Sequence, residues 1–230
     1  MKYGVLFLII GILFAYYAFL VGSWGWLLLW PALSFSSVAL AYLGLGARVF
    51  GKRADGTIAP LALLALFPYF LYAWAIWHLS RVVRREDCYN EVVPGLYIGR
   101  RPLPGELPSD IKVVVDLTAE FPERKEVREA SQYLCLPTLD ASVPGDRQFQ
   151  KLLESIMEAP SPAYLHCAEG HGRSGTLGAA ILVLRGLAEN VEDAVRLLRK
   201  SRPGIRLSNE QKALVTRVCR ALPKTTPAAS

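Results

Sequence analysis

Residues 164–175, Tyr-Leu-His-Cys-Ala-Glu-Gly-His-Gly-Arg-Ser-Gly, decide the fold of this 230-residue chain. The short apolar run at 163–165 predicts a buried strand, and the pattern at 176–187 predicts a helix. Between them lies a glycine-rich loop that begins at Cys167 and contains Arg173 six positions later. The sequence therefore predicts a cysteine at the end of a strand, in a loop that leads into the N-terminus of a helix.

This loop has the features of an anion-binding site that carries a nucleophile. A helix N-terminus offers unpaired N–H groups and the positive end of the helix dipole, and glycines allow successive amides to turn toward an anion. The same field favours the thiolate form of Cys167, and the guanidinium of Arg173 can bind two phosphate oxygens at once. These residues predict phosphoryl transfer to sulfur through a cysteinyl-phosphate intermediate. The alternative, a buried structural cysteine beside a surface arginine, leaves the glycine spacing unexplained.

The segment His166-Cys167-(five residues)-Arg173-Ser174-Gly175 resembles the active-site loop of the protein tyrosine phosphatase superfamily. The short domain around it resembles the dual-specificity branch, and the resemblance covers residues 90–222, including a Pro-Gly-Leu-Tyr-Ile-Gly opening at 94–99. It implies a cysteine phosphatase, and it implies no metal or organic cofactor. It also implies that the phosphate is bound by the loop residues Ala168, Glu169, Gly170, His171, Gly172 and Arg173.

A complete reaction also needs a proton donor for the leaving group and a base for the attacking water. Asp140 is the candidate, because the segment 136–140 resembles the Leu-Pro-x-x-Asp loop of the dual-specificity family. It follows a predicted strand at 132–136, which we expect to lie beside the strand that precedes the cysteine. Asp146 is the alternative acid, but we interpret it as the cap of a helix at 146–157.

Three further residues are predicted to support the chemistry. The hydroxyl of Ser174 can donate a hydrogen bond to the sulfur and stabilise the thiolate as a leaving group. His166 is expected to hold the loop by a hydrogen bond, with an ordinary core histidine as the alternative. The resemblance implies that Gln211 orients the hydrolytic water.

Charged side chains near the loop are candidates for substrate selection. Glu169 and His171 lie in the middle of the loop, where an acidic group disfavours polyanionic headgroups such as phosphoinositides. Asp116 and Glu120 follow the apolar stretch Val113–Val115 of a predicted buried strand at 111–117, and they either border the pocket or are ordinary loop carboxylates.

Strand and helix patterns alternate throughout the chain after residue 86. Strand patterns flank a Pro-Gly turn within 90–99 and recur at 111–117, 132–136 and 163–165, and helical patterns lie at 123–130, 146–157, 176–187, 191–200 and 209–222. Asn190 is a predicted helix cap, and Ser208 forms a predicted capping box with Gln211. This order predicts an α/β fold with a mostly parallel central sheet flanked by helices, and with the loop at the carboxyl end of a strand.

The first 85 residues have a different character. They contain three apolar runs, at 3–21, 27–45 and 58–79, and each is close to the length of about 20 residues that spans a bilayer. We interpret them as an α-helical transmembrane region with two to three spans, and buried core helices of a soluble protein are the alternative. The third run contains Pro60 and Pro68, so it is the best candidate for a re-entrant or interfacial segment.

The charge distribution agrees with a membrane region and argues against nucleic-acid binding. The formal net charge is +6, and residues 1–85, with seven basic side chains and one acidic side chain, carry all of it. Three spans would place the basic clusters at 48–53 and 81–85 on opposite faces, so the positive-inside rule does not fix the orientation. None of the four cysteines forms a Cys-x-x-Cys pair. A thiolate enzyme needs a reducing compartment, and we therefore expect a multi-pass membrane protein with a cytosolic catalytic domain.

These observations predict a membrane region at 1–85, a dual-specificity phosphatase-like catalytic domain at 86–222 and a flexible tail at 223–230. The favoured function is a membrane-anchored phosphatase of phosphoproteins, acting on phosphotyrosine, phosphoserine or phosphothreonine. A second hypothesis is a lipid phosphatase with the same mechanism, acting on phosphatidylglycerophosphate or a phosphoinositide. A third is an inactive membrane adaptor that binds phosphorylated partners.

Overall fold

The computed structural model describes residues 2–108, 110–129 and 132–222. The described residues of 1–84 together with 119–122 form one compact unit, and those of 85–118 and 123–230 form the other. The predicted tail at 223–230 and Ala130, the last residue of a predicted helix, lie outside the described residues.

The N-terminal unit is helical. It contains α1 (Lys2–Val21), α2 (Leu29–Leu40), α3 (Pro60–Ala65) and α4 (Phe67–Arg84), with 3-10 turns at Ser23–Leu28 and Ala47–Phe50 and a π-helical turn at Ala41–Leu45. Two segments, Lys2–Val21 and Ser23–Leu45, are long and apolar enough to cross a bilayer. They coincide with the first two apolar runs of the sequence.

The third apolar run is divided between α3 and α4. Pro68 has no backbone N–H to donate to the carbonyl of Leu64, and the indole N–H of Trp30 donates to that carbonyl instead, at 3.0 Å. Leu66 ends α3, with φ and ψ angles of −98° and 8°. The run therefore forms a short helix followed by α4 rather than one continuous helix.

The helices of this unit pack closely inside and expose apolar side chains outside. A β-carbon at Gly11 would collide with the hydroxyl of Ser36, so the glycine allows α1 and α2 to approach each other. Among the described residues, every large apolar side chain that is exposed, except Leu187, lies between residues 3 and 83. An apolar exterior of this extent is typical of surfaces that contact a membrane or another protein.

The second unit is built on a five-stranded sheet. Its strands are β1 (Tyr89–Val93), β2 (Leu96–Arg100), β3 (Val113–Thr118), β4 (Gln132–Thr138) and β5 (Ala163–Cys167). The order across the sheet is β1-β2-β5-β3-β4, and only β1 is antiparallel to its neighbour. The α/β fold with a mostly parallel sheet is therefore confirmed. One detail was wrong, since β4 lies at the edge beside β3 and not beside β5.

Within the part of the chain that the structure describes, five helices accompany the sheet. They are α5 (Lys125–Glu129), α6 (Asp146–Glu158), α7 (Arg173–Leu184), α8 (Val191–Ser201) and α9 (Asn209–Ala221). Asn190 caps α8 by accepting from the amide of Asp193, and Ser208 caps α9 in the predicted capping box. The predicted cap at Asp146 was wrong, because Gly145 is the N-cap residue and Asp146 instead accepts from Arg217 at 2.9 Å.

Side chains of β5 alternate between the two faces of the sheet and position the loop that follows. Ala163, Leu165 and Cys167 join the larger core cluster, whereas Tyr164 belongs to a smaller cluster on the other face. Every residue of α7 is buried. Because burying one large aliphatic side chain contributes about 1.5–3 kcal/mol, this packing fixes α7 against the sheet and holds the loop between two rigid elements.

Candidate active site

The loop between β5 and α7 places Cys167 among hydrogen-bond donors. Its side chain is buried, its sulfur accepts from the amide of Gly170 at 3.2 Å, and the hydroxyl of Ser174 lies 3.4 Å away. The helix begins at Arg173, three residues earlier than the sequence pattern predicted. Both the sulfur and the arginine are therefore at the N-terminus of α7, where the helix dipole favours negative charge.

Gly170 is required by the shape of this loop. Its φ of +80° lies in the left-handed region, and a β-carbon there would collide with the carbonyl of Gly99 and lie 2.7 Å from the amide nitrogen of Arg100. Both the backbone conformation and the close approach to β2 therefore select glycine. The structure therefore accounts for one of the glycines in this loop.

Arg173 is held in place by the carboxyl ends of two strands. Its side chain is buried, and Nη1 donates to the carbonyl oxygens of Thr138 at 2.8 Å and Leu117 at 3.4 Å. These contacts fix the plane of the guanidinium at the end of the loop that begins at Cys167. A preoriented fork of this kind is suited to bind two oxygens of a phosphate.

Asp140 lies in the turn after β4 and faces this arginine. Its Oδ1 is 3.4 Å from Nη2 of Arg173, while its side chain is 64% exposed. The structure thus brings the predicted acid to the loop even though β4 and β5 are not neighbours. An exposed carboxyl group at the rim can reach the leaving group of a bound phosphomonoester.

Gln211 is buried beside the loop. Its Oε1 accepts from the amide of Ser208 in the capping box, and a β-carbon at Gly172 would lie 3.4 Å from its Nε2. The side chain therefore caps α9 and is also adjacent to the loop between β5 and α7. That Gln211 orients the hydrolytic water remains a prediction.

His166 lies on the opposite face of the sheet from the sulfur. Its ring is fully buried and stacks on Tyr164 with centroids 5.7 Å apart, and neither ring nitrogen has a hydrogen bond among the described residues. Nε2 is 3.4 Å from Oε2 of Glu123 and 4.0 Å from Oδ1 of Asp116. The expected hydrogen bond from His166 to the loop is therefore absent from the described structure.

His166, Glu123 and Asp116 together could hold a cation, since their ligand atoms lie within 4.8 Å of one another. The carboxylate of Asp116 also accepts from the hydroxyls of Thr118 and Tyr133, at 2.7 Å each. Asp116 is thus a buried structural acid and not a border of the phosphate site. Glu120 is also buried, and it accepts locally from the amide of Ala119 at 2.9 Å.

Arg202 supports the loop and was not among the residues selected from the sequence. Its Nε donates to the carbonyl of Gly170 at 3.0 Å, and its Nη2 donates to the carbonyl of Glu169 at 2.9 Å. These bonds connect two carbonyl oxygens of the loop to the residue that follows α8. Its position in an Arg-Pro-Gly segment, a turn signal with a cation, was the only sequence signal available.

The cysteines differ in their electrostatic surroundings. Burial raises the pKa of the Cys88 thiol to about 11, with Arg100 opposing the shift. A raised pKa disfavours the thiolate form, so Cys88 is a poorer candidate for the nucleophile than a cysteine at a helix N-terminus.

The chain has been compared with known proteins, and one family model matches residues 106–221. It is described as PTP-SAK, Swiss Army Knife protein, DSP-PTPase phosphatase domain. The fold and this match define a dual-specificity phosphatase-like domain of the protein tyrosine phosphatase superfamily, and thus a phosphatase. The chain belongs to the PTP-SAK family. No curated protein matches the chain.

Solved structures show the same fold. Tk-PTP in its active form is 27% identical with a TM-score of 0.51, and the match covers 59% of this chain and 98% of that one. PTPMT1 in complex with PI(5)P is 22% identical with a TM-score of 0.51, covering 59% and 96%. A mouse putative dual specificity phosphatase complexed with zinc tungstate is 17% identical with a TM-score of 0.50, covering 59% and 89%.

Proposed function

We propose that this protein is a membrane-anchored, cysteine-dependent phosphatase that hydrolyses phosphomonoesters of phosphoproteins. The observation that carries the proposal is the environment of Cys167, whose sulfur accepts from Gly170 and lies beside Ser174. Arg173 stands at the other end of the same loop, with its guanidinium fixed by strand carbonyls. A thiolate and an arginine around one anion site support phosphoryl transfer to sulfur.

The first chemical step uses the cysteine and the rim acid. The thiolate of Cys167 attacks phosphorus, the bond between phosphorus and the leaving oxygen breaks, and Asp140 donates a proton to that oxygen. Arg173 and the loop amides bind the oxygens of the phosphoryl group as it is transferred. The products are a free alcohol or phenol and a cysteinyl phosphate.

The second step returns the enzyme to its starting state. The Asp140 carboxylate accepts a proton from water, the water oxygen bonds to phosphorus, and the sulfur–phosphorus bond breaks. Ser174 donates a hydrogen bond to the departing thiolate, and inorganic phosphate is released. We infer that Gln211, which is adjacent to Gly172, orients that water.

The surroundings of the loop favour phosphoproteins over polyanionic lipids. Glu169, within the loop, and Glu86, beside it, are partly exposed carboxylates whose charge repels additional phosphates on a substrate. Because no separate phosphotyrosine-recognition segment is evident in the sequence, we infer a shallow pocket. Such a pocket admits phosphoserine, phosphothreonine and phosphotyrosine.

The apolar exterior of the N-terminal unit supports membrane anchoring. A thiolate enzyme requires a reducing environment, which supports a cytosolic catalytic domain. Anchoring also raises the effective concentration of lipid substrates, so a phospholipid monoesterase is the second candidate. The PI(5)P in the PTPMT1 structure is a ligand of that protein, and at 22% identity the likeness extends to the fold. The retained cysteine, arginine and aspartate argue against an inactive adaptor.

The decisive experiment compares the full-length protein with Cys167→Ser on an aryl phosphate, a phosphopeptide panel and phosphatidylglycerophosphate. We expect turnover of the aryl phosphate and phosphopeptides, no turnover by Cys167→Ser, and a phosphorylated Cys167 in the trapped protein by mass spectrometry. Activity that survives in Cys167→Ser would reject the mechanism. Turnover of the lipid far above the peptides would replace the favoured substrate class with the second one.

A further inference from the structure

The linker that follows α4 contacts the phosphate-binding loop directly. Glu86 lies two residues after Arg84, the last residue of α4. Its Oε2 is 2.6 Å from Nε2 of His171 in the loop and 3.3 Å from Nη2 of Arg202. One linker carboxylate therefore bridges a loop side chain and the arginine that holds the loop carbonyls.

The imidazole of His171 occupies a specific site. Its side chain is 12% exposed, and a β-carbon at Gly204 would collide with Nε2 and lie 2.8 Å from Cδ2. Gly204 is not among the glycines with positive φ, so its backbone conformation does not demand glycine. The missing side chain instead provides the space into which the imidazole packs.

Arg202 provides a second connection between the linker and the loop. Besides the carbonyls of Gly170 and Glu169, its guanidinium donates to the carbonyl of Asp87 at 3.1 Å and to Oδ1 of Asn90 at 2.8 Å. Its side chain is only 3% exposed. The linker and the loop therefore both accept hydrogen bonds from the buried guanidinium of Arg202. A change in either segment alters the surroundings of that cation.

The charges around His171 come from three elements. Glu86 of the linker faces Nε2, Glu169 of the loop lies 3.7 Å from Nδ1, and Arg202 lies beyond Glu86. Glu86 lies between the imidazole and the guanidinium, so its removal takes away the carboxylate that both contact, while Arg202 keeps its bonds to Asp87 and to the loop carbonyls. The 2.6 Å distance between Oε2 of Glu86 and Nε2 of His171, together with the low exposure of the histidine, distinguishes this contact from a fully solvated pair.

We propose that Glu86 is a positioning residue, which holds the phosphate-binding loop in its anion-binding conformation through His171 and Arg202. This inference rests on the proposed phosphatase function. It means that the segment leaving the apolar N-terminal unit is a structural part of the catalytic loop and not a passive tether. Glu86 touches no reacting atom, and its effect is on how well the loop amides face the phosphate.

The test compares Glu86→Gln and Glu86→Ala with Asp87→Asn in the full-length protein. Asp87→Asn is the matched control, because it removes a charge from the same linker but keeps the carbonyl that Arg202 binds. We expect Glu86→Ala to raise KM for an aryl phosphate about three- to tenfold with a smaller change in kcat, since phosphate binding is weakened uniformly. We expect Glu86→Gln to show a smaller effect and Asp87→Asn none.

A second readout does not depend on activity. Hydrogen exchange of the amides of residues 168–173 should accelerate in Glu86→Ala, and inorganic vanadate should restore less protection than in the parent protein. In a double-mutant cycle of Glu86→Gln and His171→Gln, the changes in KM should be non-additive, because the two residues act on one contact.

The outcomes separate this inference from the proposed function. Unchanged KM and exchange in Glu86→Ala, or equal effects in Asp87→Asn, would overturn the positioning role while leaving the phosphatase intact. If the parent protein forms no cysteinyl phosphate, the proposed function fails, and the exchange data still decide whether Glu86 holds the loop. A thermal unfolding scan of each variant confirms that the comparison is made between folded proteins.

Discussion

The guanidinium of Arg173 lies 3.4 Å from the carboxylate of Asp140, although one residue begins α7 and the other follows the edge strand β4. The arginine is buried and fixed by strand carbonyls, whereas the aspartate is largely exposed. This asymmetry fits their predicted roles, since a phosphate-binding cation benefits from rigidity and a proton donor must meet leaving groups of different shapes.

Asp140→Asn is expected to lower kcat by about 10²–10⁴-fold and to leave vanadate binding nearly unchanged. The reason is that the leaving oxygen loses its proton donor while the loop keeps its anion site. Steady-state rates with a series of aryl phosphates check this, because the loss should be smallest for the most acidic phenol.

The control for this prediction is Asp146→Asn. Hydrogen bonds from Arg217 engage both carboxylate oxygens of Asp146 and lower its pKa, which makes it a poorer proton donor than a carboxyl group without such bonds. Its substitution should leave turnover unchanged. A larger loss in Asp146→Asn than in Asp140→Asn would transfer the acid role to Asp146.

Much of the fold could be predicted because its signals are local. The caps at Asn190 and Ser208 and the strands around the turn at 94–95 depend on neighbouring residues, and all are present. The place of β4 at the sheet edge depends on packing between distant segments, which periodicity does not encode. The false cap at Asp146 has the same origin, because Arg217 from another helix attracts the carboxylate.

The site was predictable to the extent that it is continuous in sequence. Cys167 and Arg173 belong to one loop, so their spacing indicated an anion site. Arg202 and Glu86 come from other elements, and neither belongs to a motif that the sequence displays. The predicted hydrogen bond from His166 to the loop is not formed within the described residues, because alternation along the strand directs this side chain away from the sulfur of the next residue.

Ser174→Ala is expected to slow hydrolysis of the cysteinyl phosphate more than its formation. The hydroxyl lies 3.4 Å from the sulfur, where it can stabilise the thiolate that leaves in the second step. Rapid mixing with an aryl phosphate should show a burst of phenol, and intact mass measurement should show phosphorylated protein accumulating. We expect the slow phase to fall by about tenfold or more.

Thr176→Ala is the matched control for this hydroxyl. Thr176 lies in the same helix and is also buried, but its hydroxyl donates to the carbonyl of Gly172 at 2.8 Å. The variant should lose some stability without accumulating the adduct. Equal accumulation in both variants would mean that the serine hydroxyl has no special effect on the sulfur.

Glu106 should make the stability of the catalytic unit depend on acid pH. Burial opposes its ionisation, but hydrogen bonds from Arg100 at 2.7 and 2.8 Å and from the amide of Leu103 lower its pKa to about 2, from 4.5. The contribution of Glu106 to the free energy of unfolding is therefore complete above pH 4.5, and it is lost as the pH falls toward 2.

Glu106→Gln is accordingly expected to lower the free energy of unfolding by about 1 kcal/mol at neutral pH, a value reduced for partial exposure. The difference from the parent should shrink as the pH falls through this window. Thermal unfolding of both proteins at several pH values measures it. Glu129→Gln, which breaks an exposed pair with Lys125 at 3.9 Å, should have almost no effect at any pH.

Gly170→Ala and Gly105→Ala together separate backbone strain from collision in the loop. Both glycines have positive φ, +80° and +75°, so an alanine at either position is strained by about 1–2 kcal/mol. A β-carbon at Gly105 meets no atom within 4 Å, whereas one at Gly170 would displace β2 or the loop. Gly170→Ala should therefore be the more destabilising variant.

Gly170→Ala should also lose activity that Gly105→Ala retains, because the collision displaces the backbone amide of residue 170, which donates to the sulfur of Cys167. We expect kcat/KM to fall by at least about tenfold in Gly170→Ala, as found when one donor of an anion site is lost. Unfolding temperatures and aryl phosphatase rates of both variants measure the two effects. Equal stability losses with full activity in both would show that the loop accommodates a β-carbon and that its close approach to β2 does not shape the thiolate site.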